Sequence, residues 1–220
     1  MPGIAINIFL MVFFTGILSA QQQSERAQKA KEILDKFSAR AKEYTSFKTS
    51  FTFLQMGYDE EISYSYKGKL YLEGEKYKMD LPQSTIFSNG ETVWQYLSDV
   101  NEVTITHKQD DGSLMSDPRE IFTFYKKDFK YMYRETQTYN GDEIAVIDLF
   151  PEDIEASDYS RIRVKINMEE MIIHSIKYFG KGGVHYRVDI KDFKTDTTYS
   201  EGFFTFSKAN YEGVEVIDMR

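Results

Sequence analysis

The feature that most limits how this chain can fold is an alternation of period two that begins at Phe47 and persists through most of the remaining sequence. Phe47, Thr49, Phe51 and Phe53 share one side of that period, with Lys48, Ser50 and Thr52 on the other. Ile62, Tyr64, Tyr66, Gly68, Leu70 and Leu72 repeat it opposite Ser63, Ser65, Lys67 and Lys69, and Tyr77, Met79 and Leu81 suggest the inward side of a third strand. Successive strand residues point to opposite faces, so this pattern describes half-buried antiparallel strands. Asn89-Gly90 and Asn140-Gly141 fall between such runs and are strong hairpin turns. Val103 and Ile105 are expected to face inward, the FFTF of residues 203–206 to be the last strand, and residues 211–220 to be a tail. Consecutive hairpins place neighbours side by side, which predicts about eleven or twelve strands in one strongly curved, unclosed antiparallel sheet. The expected class is mainly β with α, a half-barrel covered by helices.

Three segments break the strand pattern. Ala27, Ala30, Leu34, Phe37, Ala41 and Tyr44 recur at steps of three and four, predicting a helix over residues 24–44. Residues 116–129 combine Asp117 as a cap, Pro118 at the first helical position and Glu120 three residues after the cap. Ile121, Phe122, Tyr125 and Phe129 then share one apolar face. That helix either plugs an ordinary core or forms a movable lid over a cavity. Residues 1–20 are uncharged and apolar and end in Ser19-Ala20, as a secretory signal does before cleavage. The absence of a leading Lys or Arg and the bulk of Leu18 leave an uncleaved anchor as the alternative. Residues 21–220 show no linker and are expected to form one domain.

Composition narrows the function. The chain has no cysteine, so it can hold neither a disulfide framework nor a cysteine metal site, and a net charge of −8 argues against nucleic acid and anionic membranes. His107, His174 and His185 are the only histidines and none sits at metal-ligand spacing; His174 alternates with Ile172 and Ile176 and is expected near the core. The paired acidic residues fall in expected turns, and no nucleophile elbow, phosphate-binding glycine loop or calcium loop occurs. Neither a metal, a cofactor nor an enzymatic activity is expected. The chain is instead rich in rings, with 16 Tyr, 17 Phe and Trp94. Either they fill one side of a sheet because of their β-propensity, or they line a hollow that admits a flexible apolar ligand. Phe51, Phe53, Tyr64, Tyr66, Leu70, Leu72, Tyr77 and Met79 share the inward phase of three successive strands and are the candidate lining of such a cavity.

Residues 45–53 (TSFKTSFTF), 68–72 (GKLYL), 84–105 (STIFSNGETVWQYLSDVNEVTI) and the ending FFTFSKANYEGVEVIDMR together resemble the LolA family of outer-membrane lipoprotein carriers, in its Bacteroidetes form. The most specific piece is the hairpin Ser88 to Tyr96. The resemblance implies an open β-barrel with helices over its mouth, a periplasmic monomer that shelters lipoprotein acyl chains. It implies acylated lipoproteins and an inner-membrane ABC lipoprotein exporter as partners, with or without an outer-membrane receptor. One departure follows GKLYL, where many members have a basic run with an Arg associated with passing cargo onward; this chain reads Glu73-Gly74-Glu75-Lys76. Two other readings stand beside it: another lipid-, glycolipid- or pigment-binding or lipoprotein-sensing protein on the same fold, and a secreted enzyme with a dispersed site.

Overall fold

The computed structural model describes residues 5–108, 118–122, 124–126 and 129–220, with side chains from residue 21 onward except at 119, 120 and 124. Strands β1 (Ser46–Met56), β2 (Ile62–Glu73), β3 (Lys76–Asp80), β4 (Ser84–Ser88), β5 (Thr92–Leu97) and β6 (Glu102–His107) form one antiparallel meander. A second meander comprises β7 (Phe129–Tyr139), β8 (Asp142–Pro151), β9 (Tyr159–Asn167), β10 (Ile172–Gly180) and β11 (His185–Thr195). Antiparallel pairing of β1 with β11 fuses them, and β12 (Glu215–Asp218) adds to β6 in parallel. The result is a single twelve-stranded sheet in the order β12-β6-β5-β4-β3-β2-β1-β11-β10-β9-β8-β7, with β12 and β7 at opposite edges. The sheet is therefore unclosed. Its tightest connections are the expected ones: Gly90 and Gly141 both take φ of 98°, and Gly74 takes 57° between Glu73 and Lys76, which pair across the turn.

One α-helix, α1 (Ala5–Ala41), covers one face of the second meander. It runs unbroken past residue 20 and ends three residues before the expected Tyr44. Ala30, Ile33, Leu34 and Phe37 are its buried stripe, packed with Ala145, Ile147 and Leu149 of β8, Ile162, Val164 and Ile166 of β9, and Ile173 and Ile176 of β10. Registers carry that helix-side face across the whole sheet. Ile147 pairs with Val164, Val164 with Ile176, Ile176 with Val188, Val188 with Phe53 and Phe53 with Tyr66. Among the described residues, no helix is long and apolar enough to cross a membrane.

Five expectations are corrected. Among the described residues the cover is one helix and not several, because Pro118–Phe122 and Phe124–Lys126 are two short 3-10 turns and Phe129 opens β7. A segment this short cannot hold an α-helix by itself, and Phe122 and Tyr125, three apart, match the period of a 3-10 turn when both are anchored by packing. FFTF is not a strand: Phe204 is buried and Phe203 packs edge-on against Tyr71, whereas a strand would turn these neighbours to opposite sides. The tail is not free, since it forms β12 and satisfies the open edge of β6, helped by Asn101 Nδ2 donating to the Glu212 carbonyl at 3.1 Å. Val103 and Ile105 are buried, but on the face away from α1, where Phe87, Val103, Phe206 and Val214 make a second core. His174 also lies on that far face, half-buried against Tyr139, because a shift in the β9–β10 register gives Ile173 and Ile176 the helix side.

Candidate functional site

The apolar side of the molecule converges on a cleft between the end of α1, the first 3-10 turn and the middle of the sheet. Phe37, Phe47, Leu70, Phe122, Ile190 and Phe193 are among its walls, and its free volume is about 40 Å3. Phe122 is the wedge. Its ring lies 5.7 Å from Phe37 on the helix and 5.7 Å, edge-on, from Phe47 on β1, while Phe47 stacks on Phe193 at 5.1 Å. Thr49 also borders the cleft, but its hydroxyl donates to the Lys191 carbonyl at 2.7 Å and leaves the lining apolar. Ligand cavities ordinarily measure roughly 300–1,000 Å3, so this cleft is too narrow for such a ligand while Phe122 fills it.

Tyr125 anchors the turns. It is buried, its hydroxyl donates to the Leu34 carbonyl at 2.9 Å and lies 3.3 Å from Asp35 Oδ1, and burial pushes its pKa up to about 12. Ile121 and Phe122 border the cleft, whereas Tyr125 is a peg on α1 and Phe129 stacks on Tyr159 in the sheet at 6.4 Å.

The eight strand residues singled out from the sequence share the helix-side face. Phe53 pairs with Tyr66, Leu70 with Met79, and Leu72 with both Phe47 and Tyr77, while Tyr64 and Gln55 face each other. They do not form one lining. Leu70 reaches the cleft; Phe51, Leu72 and Tyr77 are buried in the sheet; Tyr64 is 54% exposed. Beyond the reach of α1, Phe53 stacks on Tyr66 at 4.8 Å and approaches Tyr186 at 5.9 Å, and Tyr64 lies 5.9 Å from Tyr66. Burial raises the Tyr66 hydroxyl above its ordinary pKa, with Tyr64 adding to it. Gly68 makes room for this row: a Cβ there would sit 2.9 Å from Phe51 Cε1. Sequence reasoning missed Ile190 and Phe193, because a bulge at Asp192 (φ 46°) restores Phe193 to the helix side and breaks the strand period on which the inward set was chosen.

Behind the second meander the opposite face is polar. Asp148 is fully buried there and accepts from Arg134 Nε at 2.7 Å and from Arg163 at 2.7 and 3.0 Å. Burial alone would raise its pKa, but the two guanidiniums outweigh it and hold the carboxyl below the usual carboxylate range. Next to it lies a basin of about 550 Å3 bordered by Arg161, Arg163, Lys165, Lys177, Arg187 and Lys191. Sequence reasoning missed it: the alternation Arg161-x-Arg163-x-Lys165 puts three cations on one side of β9, but their neighbours Lys177 and Arg187 come from other strands. Among the described residues, no group of His, Cys, Asp and Glu is placed to hold a metal ion.

Residues 42–207, from the end of α1 through the segment that covers the far face, match the family of the outer membrane lipoprotein carrier protein LolA. The chain belongs to the LolA family. No curated protein sequence matches it. Among solved structures, an uncharacterized conserved protein from Thermus thermophilus is similar with a TM-score of 0.57 and 12% identity, over 86% of this chain and 99% of that one. The lipoprotein LppX of Mycobacterium tuberculosis gives 0.47 and 12%, over 77% and 98%. An outer membrane lipoprotein-sorting protein domain from Vibrio parahaemolyticus gives 0.44 and 14%, over 81% and 97%. At these identities the likeness is one of fold. What this LolA-family chain shares with the Thermus protein is the large open sheet.

Proposed function

We propose that this LolA-family protein is a periplasmic carrier that takes up the acyl chains of lipoproteins on the helix side of its sheet and moves them from the inner to the outer membrane. The observation that supports this reading best is the cleft closed by Phe122: an apolar site between a helix and a sheet, occupied by a ring from a short segment that the ligand can displace. Each acyl CH2 left in water costs roughly 0.8 kcal/mol, so a carrier must offer an apolar surface of many CH2 lengths and then withdraw it. Displacing Ile121 and Phe122 would extend the cleft toward Leu70 and Met79, and the partly exposed row Phe53, Tyr66 and Tyr64 continues the surface from there. Loading and release then differ by which apolar group, ring or acyl chain, sits against Phe37 and Phe47, and no bond is made or broken. In this scheme the cargo arrives from an ABC lipoprotein exporter. It is passed on through a contact that does not use an Arg after GKLYL, because Gly74 stands in that turn and Glu73 is paired with Lys76 at 3.8 Å.

The test is retention of cargo. The chain from Gln21 onward, expressed with an export signal, is purified without detergent from periplasm and analysed by mass spectrometry, and is separately mixed with a diacylated or triacylated lipoprotein as detergent is removed. The proposal expects a soluble one-to-one complex and co-purifying acylated protein. A lipoprotein that precipitates equally with and without the protein sinks it.

A further inference from the structure

Among the described residues, a cavity of ligand size is the cationic basin on the face away from α1. Its cations are crowded in a way that folding alone disfavours. Arg163, Lys177 and Arg187 stand directly beside one another on β9, β10 and β11, and like charges opposite one another destabilise a sheet. Three cations also surround one ring: Arg161 at 4.0 Å, Lys177 at 4.6 Å and Arg163 at 5.7 Å from the centre of Phe179. Internal carboxylates neutralise only part of this. Asp148 holds Arg163, and Asp189 lies 3.1 Å from Arg187. Arg161 Nε is buried without a hydrogen-bond partner among the described residues, whereas Arg187 Nε is the atom that faces Asp189. All this occurs in a chain whose net charge is −8.

Glu60 shows where an anion fits. It lies in the connection between β1 and β2 at φ 67°, remains half-exposed, and reaches across to pair with Lys177 at the border of the basin. A carboxylate on a loop is thus already seated among the cations, held by a side chain that can swing away.

We propose that this basin is a binding site for a phosphate-bearing ligand, in which Arg161, Lys177 and Arg187 take the phosphate oxygens and Glu60 is the internal anion they release. Guanidiniums supply paired N–H donors whose spacing matches phosphate oxygens, and Lys177 adds a point charge. The volume of about 550 Å3 admits a phosphate with an attached sugar, glycerol or second phosphate. The site lies on the face opposite the apolar cleft, so the two can be probed separately.

The test uses the full chain from Gln21 and two probes: inorganic pyrophosphate by titration calorimetry, and vesicles of phosphatidylglycerol in phosphatidylcholine by sedimentation. Saturable binding of pyrophosphate alone assigns the site to a free phosphate ester. Binding of vesicles that pyrophosphate displaces assigns it to a lipid headgroup, and either result supports the site. Arg161→Gln is expected to weaken the binding at least tenfold, and Glu60→Gln to tighten it several-fold by removing the competing carboxylate. Lys208→Gln, on an exposed turn remote from the basin in the fold, leaves it unchanged. Thermal unfolding and binding of a fluorescent acyl probe monitor integrity, and both stay at the level of the unaltered protein. Should Arg161→Gln unfold, the opposite-signed response of exposed Glu60→Gln still decides. The site does not exist if neither probe binds, or if Glu60→Gln leaves their binding unchanged.

Discussion

Replacing Phe122 by alanine should make the protein a better acyl binder and a less stable fold. The ring is half-buried and bridges Phe37 and Phe47, each 5.7 Å away. Burying a whole Phe side chain is worth roughly 1.5–3 kcal/mol, so a half-buried ring contributes about 1–1.5 kcal/mol to the closed state. A ligand that takes the place of the ring must first overcome that contribution. At 1.4 kcal/mol per tenfold, Phe122→Ala is expected to raise acyl affinity about five- to twelvefold. The stability of the ligand-free protein should fall by about the same 1–1.5 kcal/mol. Titration of a fluorescent fatty acid reads the first quantity and urea denaturation the second. Phe47→Ala, which removes a wall and not the wedge, should lower affinity. If Phe122→Ala weakens acyl binding as Phe47→Ala does, Phe122 is itself a wall of the site and the competition argument is wrong.

Further outcomes concern other parts of the molecule. Asp148→Asn leaves Arg134 and Arg163 without their anion and should cost about 3 kcal/mol, the low end for a broken buried pair because both arginines are partly solvated. Since the folded pKa of Asp148 is depressed, its contribution is present above the unfolded value of 3.8 and is lost as pH falls through the lower folded value. Urea midpoints of parent and variant should therefore converge at strongly acidic pH, and a gap that persists unchanged there would contradict the ion-pair account. Gly68→Val drives a Cβ into the Phe51 ring and should cost about 1–3 kcal/mol and disturb the neighbouring aromatic row; an unchanged denaturation curve would show that the ring moves freely. Gly74→Arg meets no steric contact but a φ of 57°, so it should cost only about 1–2 kcal/mol. It should also improve transfer to a receptor from an Arg-containing system, and transfer already efficient in the parent would show that Gly74 is neutral. Finally, N-terminal sequencing of the exported protein should begin near Gln21, and the buried stripe of α1, which starts at Ala30, should keep that shortened protein folded.

The sheet was legible because its information is local. A period of two from Phe47 to Phe53, and glycines at 90 and 141 where φ is positive, determine which residues face together and where the chain reverses. The shared side of Phe53, Tyr66, Leu70 and Met79 followed from that period alone. What the sequence could not show depends on distant partners. Phe122 and Tyr125 are held by Phe37, Phe47 and the Leu34 carbonyl, so a segment with good α-helical start signals adopts 3-10 turns. Phe203 and Phe204 looked like a strand until Tyr71 and Tyr199 took them. Val103 and Ile105 read as inward because a sheet with two cored faces offers two inward directions, and hydrophobic pattern does not distinguish them. The cationic basin was hidden for the same reason: each of its residues looks like solvated charge until cross-strand registers align Arg163, Lys177 and Arg187.

The seam between β1 and β11 also governs when the protein can fold. Every other antiparallel pair joins strands that follow one another in sequence, whereas Phe47 pairs with Thr195 and Met56 with His185. Long-range pairing of this kind is slow because a large loop must close before any contact rewards it. Each meander can assemble while the chain is still emerging, but β1 and β11 then wait as unpaired edges, with Phe51 and Phe53 beside one of them. Two growing chains that meet at this stage can exchange partners, β1 of one with β11 of the other. Rapid synthesis would thus trap swapped dimers that slow, dilute refolding avoids.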